Sequence, residues 1–196
     1  MRNINLRFVT EEYDDNGLLS KFEVNCPETF NFGYDVVDDI AEADPDRRAM
    51  VWCNPEGEEH VFSFADMKRW SDKTANFLAA QGIGRGDMVV VILRRHYQFW
   101  FVATALAKLG AVMVPATFML KEHDLEYRLN GASIKAVIAT SVGEIADVID
   151  HVAPTCPTVE SLILVNGAGG GLTTQRADGT WDIPSGALVG PVLSGP

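Results

Sequence analysis

The stretch Gly82-Ile83-Gly84-Arg85-Gly86-Asp87-Met88-Val89-Val90-Val91-Ile92-Leu93 and its continuation to Gly110-Ala111-Val112-Met113-Val114-Pro115 decide the fold class. Residues 88–93 run apolar without alternation, as a strand covered on both faces does. Residues 96–109 have a helical pattern ended by Gly110, and residues 111–115 read as a second buried strand. The unit has the length of a right-handed βαβ crossover, so the class is α/β. The glycines that open it are not a nucleotide fingerprint. A dinucleotide loop follows a strand and opens a helix, which brings phosphate to the helix N-terminus. Here the glycines follow a helix ending near Gln81 and open a strand. Gly82 is expected to be the left-handed residue after the helix, with Gly84 and Gly86 in the turn.

Working towards the N-terminus, Ser63 and Asp66 resemble a capping box, followed at helical spacing by Met67, Trp70, Thr74, Phe77 and Leu78. Asn54-Pro55-Glu56-Gly57 is a turn signal between residues 49–53 and 60–64, which together read as a hairpin. Asn31 can cap a short helix over residues 34–43 that Pro45 stops. Residues 1–30 are polar and acidic and read as an irregular arm.

Towards the C-terminus comes a loop at 116–120, then a helix over 122–130 closed by Gly131. Residues 135–139 are another buried strand, Thr140 or Ser141 caps a helix to about Val152, and 162–165 is the next strand. The order β-α-β-α-β-α-β implies a largely parallel sheet with helices on both faces. Residues 31–165 thus form the α/β unit. Residues 166–196 hold eight of the seventeen glycines and three of the nine prolines, and read as a flexible loop and tail. The run Gly167-Ala168-Gly169-Gly170-Gly171 lacks the Lys-Ser or Lys-Thr pair of a phosphate loop, and no helical pattern follows it.

Composition narrows the function classes. Apolar residues make up 47% of the 196, enough for a core and against global disorder. No apolar run approaches twenty residues, so no membrane span is expected. A net charge of −11 argues against nucleic acid or an anionic membrane as general partners. The first residues, Met1-Arg2-Asn3-Ile4-Asn5, lack an apolar signal region, so the chain reads as cytoplasmic. Cys26, Cys53 and Cys156 are odd in number and widely spaced, which favours reduced thiols over a disulfide framework or a zinc site. His60, His96, His123 and His151 show no metal-ligand spacing and no shared helix face, so none is assigned to catalysis or metal binding.

From Phe30 to about Val165 four segments resemble the amino-terminal region of adenylate-forming enzymes, in the branch of the medium-chain acyl-CoA synthetases and their acetyl-CoA synthetase-like relatives. Phe62-Ser63-Phe64-Ala65-Asp66-Met67 resembles an opening aromatic-Ser/Thr-Phe-x-Glu-Leu segment. Residues 82–89 match a Gly-aliphatic-x-x-Gly-Asp-x-Val turn and strand. Residues 110–115 match Gly-Ala-x-x-x-Pro, and Asp124-Leu125-Glu126-Tyr127-Arg128-Leu129 resembles Asp-Ile-x-Tyr-Arg-Leu. Each is weak alone; four in order make a specific signal.

The resemblance implies an acid–CoA ligase, in which ATP and a carboxylic acid form acyl-AMP and CoA then displaces AMP. It implies ATP, Mg²⁺ and CoA as cofactors of the parent family, none held tightly by this chain. The phosphate loop ending in Pro-Lys, the downstream carboxylate for Mg²⁺ and the lid lysine are not in the sequence. The chain therefore reads as the front portion of a ligase, inactive or nearly so alone, with a non-catalytic α/β interaction module as the alternative.

Ligands of open α/β sheets gather beyond the carboxyl ends of the strands. The resemblance places Thr117, Phe118 and Met119 at a CoA rim, with Met119 where a glutamine is common; apolar packing is the commoner role for such a methionine. Arg94 stands in place of a usual proline, beside Arg95, which matches a basic residue of the branch. Two guanidinium groups there could attract a phosphate, although a solvated or ion-paired surface role is the commoner one. The helix over 96–109 is apolar almost all round apart from Gln98, Thr104 and Lys108, and Phe99-Trp100-Phe101 reads as core packing. So broad an apolar surface implies a partner, most simply a second copy in a homodimer.

Overall fold

The computed structural model describes residues 5–141, 143–165, 172–175 and 181–182, with side chains described over 7–141 and 143–165. Its centre is the βαβ unit. β5 (Met88–Ile92) lies between β6 (Val112–Pro115) and β7 (Ala136–Thr140), and β8 (Ser161–Val165) pairs with β7. All four are parallel. β9 (Leu172–Gln175) adds to β8 antiparallel, and β10 (Trp181–Asp182) adds to β9. The chain runs from β5 to β6 on one side, then returns past β5 to β7 on the other. That reversal makes a topological switch at the carboxyl end of β5.

The unbroken apolar run of β5 is divided by the pleat. Val89 and Val91 pack under α3 (Phe64–Ala80) and α4 (Gln98–Leu109). Val90 and Ile92 pack under α5 (Glu122–Gly131) and α6 (Glu144–Val152). Both faces are covered, as the lack of alternation requires. β6 is the exception to the expectation of a buried strand. It is the edge of the sheet, its residues are half-buried to exposed, and Pro115 sits where a missing donor is tolerated.

The turn chemistry follows the sequence in most places. Ser63 and Asp66 form a full capping box at the start of α3. Gly82, Gly86 and Gly110 have φ of 81°, 84° and 69°, so all three are left-handed. Asp87 accepts from the Gly84 amide at 2.8 Å and from Lys135 Nζ at 2.9 Å, which holds the turn against the start of β7. These donors keep the Asp87 carboxyl below its usual pKa. Two ends differ from expectation. Gly131 is inside α5, and the left-handed residue after it is Ser133. α6 opens on Gly143, with no side-chain cap from Thr140 or Ser141. Both differences arise because each helix runs a residue or more out of step with the sequence boundary.

Ahead of the sheet, Asn31 caps as expected, accepting from the amides of Gly33 and Tyr34. The chain then makes a π-helical turn (Phe32–Asp38) before α2 (Asp39–Ala43). Gly33 passes so close to α4 that a Cβ would lie 2.5 Å from Lys108 Cγ. β3 (Arg48–Cys53) and β4 (Glu59–Ser63) form the expected hairpin, seated on α4 by Trp52, His60, Phe62, Tyr97 and Phe101.

The arm also differs from its irregular reading. After α1 (Asn5–Phe8), β1 (Val9–Tyr13) pairs with β2 (Leu19–Val24) across a turn with Gly17 left-handed. The register sets Val9, Glu11, Phe22 and Val24 on one face and Thr10, Glu12, Lys21 and Glu23 on the other, and cross-strand pairs hold an almost wholly exposed ribbon. The Gly167–Gly171 run lies outside the described residues. Residues 172–175, read as part of a loop and tail, instead extend the sheet.

α4 is less bare than its composition suggests. Phe101, Val102, Ala105 and Leu106 are buried, and so are Gln98, Thr104 and Lys108. Trp100 is 54% exposed and faces outward.

Candidate functional site

The loops that leave β5, β6 and β7 meet at the switch point and enclose a crevice of about 520 Å³. Arg94 comes from the end of β5, Phe118, Met119 and Lys121 from the loop after β6, and Gly143, Glu144 and Ile145 from the start of α6. Arg94 lies over the Phe118 ring, 4.7 Å from its centroid, so the guanidinium is held against an aromatic face. Lys121 Nζ and Glu144 pair at 2.9 Å across the crevice, both well exposed. The Lys121 ammonium holds the Glu144 carboxyl below its usual pKa. Gly143 leaves the first amides of α6 without a side-chain cap.

Of the three rim residues expected from sequence, Phe118 and Met119 line this crevice. Thr117 does not; its hydroxyl accepts from the Met119 amide at 3.3 Å and shapes the loop. Met119 is 70% exposed and presents a thioether, so its contact with a ligand is apolar. Lys121 and Glu144 were not singled out from sequence. The signal that would have found them is position: each follows a parallel strand by a few residues, at the end where such sheets bind ligands.

The two arginines are not brought together. Past the end of β5 at Ile92, Arg94 lines this crevice, whereas the left-handed turn at Arg95 sends that residue to a different space. There a second groove, of about 490 Å³, lies between β3 and the start of α4. The two guanidinium groups therefore line different spaces rather than one phosphate site. Arg95 has φ of 53°, and its carbonyl accepts from Trp52 Nε1 at 2.7 Å. The left-handed conformation of a non-glycine residue is held by that bond and by the packing of His96 and Tyr97 beneath it.

His96 is buried before α4 begins, and neither ring nitrogen has a hydrogen-bond partner among the described residues. Burial pushes its pKa below the usual histidine value, with the backbone of Arg94 acting less strongly in the opposite sense. His96 is therefore neutral at pH 7. Among the described residues no three His, Cys, Asp or Glu side chains gather to hold a metal ion.

Comparison with known proteins gives a consistent picture. Residues 37–182 match the family model of the AMP-binding enzyme. The acyl-coenzyme A synthetase ACSM4, mitochondrial, of Rattus norvegicus is 33% identical over 159 residues, which are 78% of this chain and 27% of the relative. ACSM3, mitochondrial, of Pongo abelii is 34% identical over 151 residues, 74% of this chain and 25% of the relative. This chain thus spans about a quarter of the length of those relatives. Among solved structures, a Mycobacterium tuberculosis fatty acyl CoA synthetase superposes with a TM-score of 0.61 at 26% identity, covering 69% of this chain and 26% of that one. The N-terminal domain of FACL13 from Mycobacterium tuberculosis gives 0.60 at 27% identity, covering 69% and 33%.

The relatives' names place them in mitochondria, and this overturns the cytoplasmic expectation. That expectation rested on the lack of an apolar signal region. Mitochondrial targeting segments are amphipathic and Arg-rich rather than apolar, so the observation had no bearing on that compartment.

Proposed function

Because this chain belongs to the AMP-binding enzyme family, as an amino-terminal portion of an acyl-CoA ligase, we propose that it serves the reaction of an ATP-dependent acid–CoA ligase. In that reaction a carboxylic acid and ATP give acyl-AMP and pyrophosphate, and the CoA thiol then displaces AMP. The observation that carries the reading for this chain is the crevice at the switch point, where Arg94, Phe118, Met119 and Lys121 converge.

These residues fit a CoA rim better than a nucleotide-activating centre. Arg94 and Lys121 supply positive charge for a phosphate, and Phe118 and Met119 supply apolar surface for the rest of the ligand. Lys121 already has a carboxylate partner in Glu144, so an arriving phosphate competes with that pair. Arg94 takes over the donor role that Met119 lacks. CoA, when bound, brings the thiol nucleophile; the residues here only bind and orient it. The Pro-Lys phosphate loop implied for ATP is not among these 196 residues. No step through ATP or Mg²⁺ is assigned to them, and the chain by itself is expected to form no acyl-adenylate.

Titration calorimetry tests the crevice. CoA binding to the isolated chain is expected to be weak, and Met119→Glu should abolish what there is by placing a carboxylate beside the phosphate. Micromolar CoA binding that Met119→Glu leaves unchanged would remove the assignment. Pyrophosphate exchange dependent on a carboxylic acid would show that the chain has an adenylating centre elsewhere.

A further inference from the structure

The groove on the Arg95 side of β5 has no part in the reading above. Trp52 and Cys53 from the end of β3, with Val51, form one wall; Leu93, Arg95 and His96 form the floor, and Phe99 and Trp100 of α4 the other wall. Three aromatic side chains border one open space, with Phe99 and Trp100 edge to face at 5.3 Å. Arg95 is the one charged residue among the described residues lining it. His96 lines it too, at 8% exposure, with both ring nitrogens unpartnered.

Two of these features, the poorly satisfied imidazole and the open aromatic surface, are costly without a ligand, and the third fixes where the cation sits. A buried imidazole whose nitrogens make no well-formed hydrogen bond among the described residues carries a desolvation cost that the nearby Arg94 backbone repays only in part. Arg95 adopts a backbone conformation that side chains avoid, and the Trp52 bond fixes it there. Trp100 and Val51 leave large apolar surfaces open to water. We infer that this groove is a binding site for a flat aromatic carboxylate. The ring lies among Trp52, Phe99 and Trp100, the carboxylate is drawn to Arg95, and a polar ring substituent reaches His96, which offers one donor and one acceptor. A cationic ligand is excluded by Arg95, and an unbranched aliphatic acid forgoes the aromatic contacts.

Ligand-observed NMR of the full chain with 2-naphthoate as probe tests this. Saturable binding is expected, and 2-naphthalenemethanol, the same ring without the charge, should bind at least about tenfold more weakly. Arg95→Asn removes the cation while keeping a residue that tolerates the left-handed conformation, and should erase the preference for the acid. Trp100→Ala changes an exposed position and should weaken naphthoate about fivefold. CoA, assigned to the other crevice, should not displace the probe, so the two assignments fail separately. Absence of saturable binding, equal affinity for acid and alcohol, indifference to Trp100→Ala, or displacement by CoA would each overturn the inference. If Arg95→Asn alters the circular dichroism spectrum, the acid–alcohol pair and Trp100→Ala decide the matter.

Discussion

On the α3–α4 side of the sheet, Val89, Val91, Ala136 and Ile138 meet Trp70, Phe77, Tyr97 and Phe101, and a charged cluster lies at the margin of that core. On the α5–α6 side, Val90, Ile92, Val137 and Ala139 meet Leu125, Leu129, Ile145 and Ile149, with no aromatic ring in the core among the described residues. One sheet thus carries two kinds of interface. The aliphatic side is held by non-directional burial. The aromatic side adds direction. Lys108 Nζ, 1% exposed, reaches Asp38 at 2.7 Å and Asp72 at 2.6 Å, while Lys68 takes the other Asp38 oxygen at 2.9 Å. Asn31 Nδ2 donates to the Ala107 carbonyl at 2.7 Å, tying the π-helical turn to α4. These bonds fix where the turn, α3 and α4 sit relative to one another, which apolar packing alone leaves loosely specified.

The hardest blow to this comparison should fall on the directional side. Lys108→Ala leaves Asp38 buried with only Lys68, and unfolding by urea is expected to show a loss of about 3 kcal/mol. Pairing it with Asp38→Asn should restore part of that loss, since the stranded charge is gone; a purely additive double variant would refute the coupling. Phe101→Ala on the aromatic side and Leu125→Ala on the aliphatic side should each cost about 3 kcal/mol through cavity formation. If the two faces differ only in direction and not in burial, these values will lie close together.

A smaller effect separates the sides by pH. His96 is neutral in the fold because burial holds its pKa below the ordinary value of 6.5. The unfolded chain binds that proton first as pH falls. Stability linked to His96 is therefore complete above pH 6.5 and is lost as pH drops from there towards the depressed folded value. His96→Phe should flatten this part of the stability–pH curve; an unchanged slope would mean that the imidazole titrates freely. On the turn below the sheet, Asp87 works at lower pH. Its depressed carboxyl contributes stability above the ordinary carboxylate range that fades as pH falls through the folded value. Asp87→Asn should remove that acid limb, modestly, because the Asp87–Lys135 pair is partly solvated.

Trp100→Ala should change stability least, by about 0.5 kcal/mol or less, because the ring is more than half exposed. A larger loss in urea would show that Trp100 belongs to the aromatic core after all.

The candidate site was partly legible before the fold was. Phe118 and Met119 were reachable from sequence because a short loop after a strand-ending proline has to lie at the carboxyl edge of the sheet. Lys121, Gly143 and Glu144 were harder to reach, since the last two come from a helix start about 22 residues further on, and only the return of the chain past β5 sets them opposite Arg94. The buried strand expected at β6 and the irregular arm were misread for related reasons. An edge strand and a central strand can share one apolar pattern, and a short exposed ribbon has no core to announce it.

By itself, the sequence determined the elements whose causes are local. The glycines at 82, 86 and 110 needed left-handed backbone, Ser63 and Asp66 needed only each other, and six apolar residues in a row demanded cover on both faces. Tertiary structure decided what neighbours supply. Gln98, Thr104 and Lys108 are the polar positions of α4, and a helix taken alone would turn them to water. In the fold they face inward, because Lys108 finds Asp38 and Asp72 from segments 70 and 36 residues away, and Trp100 is left outside. The separation of Arg94 from Arg95 has the same origin. The chain has left β5 at Ile92 and turns left-handed at Arg95, where the Trp52 bond from β3 holds it, so a neighbour distant in sequence sets which side each arginine serves.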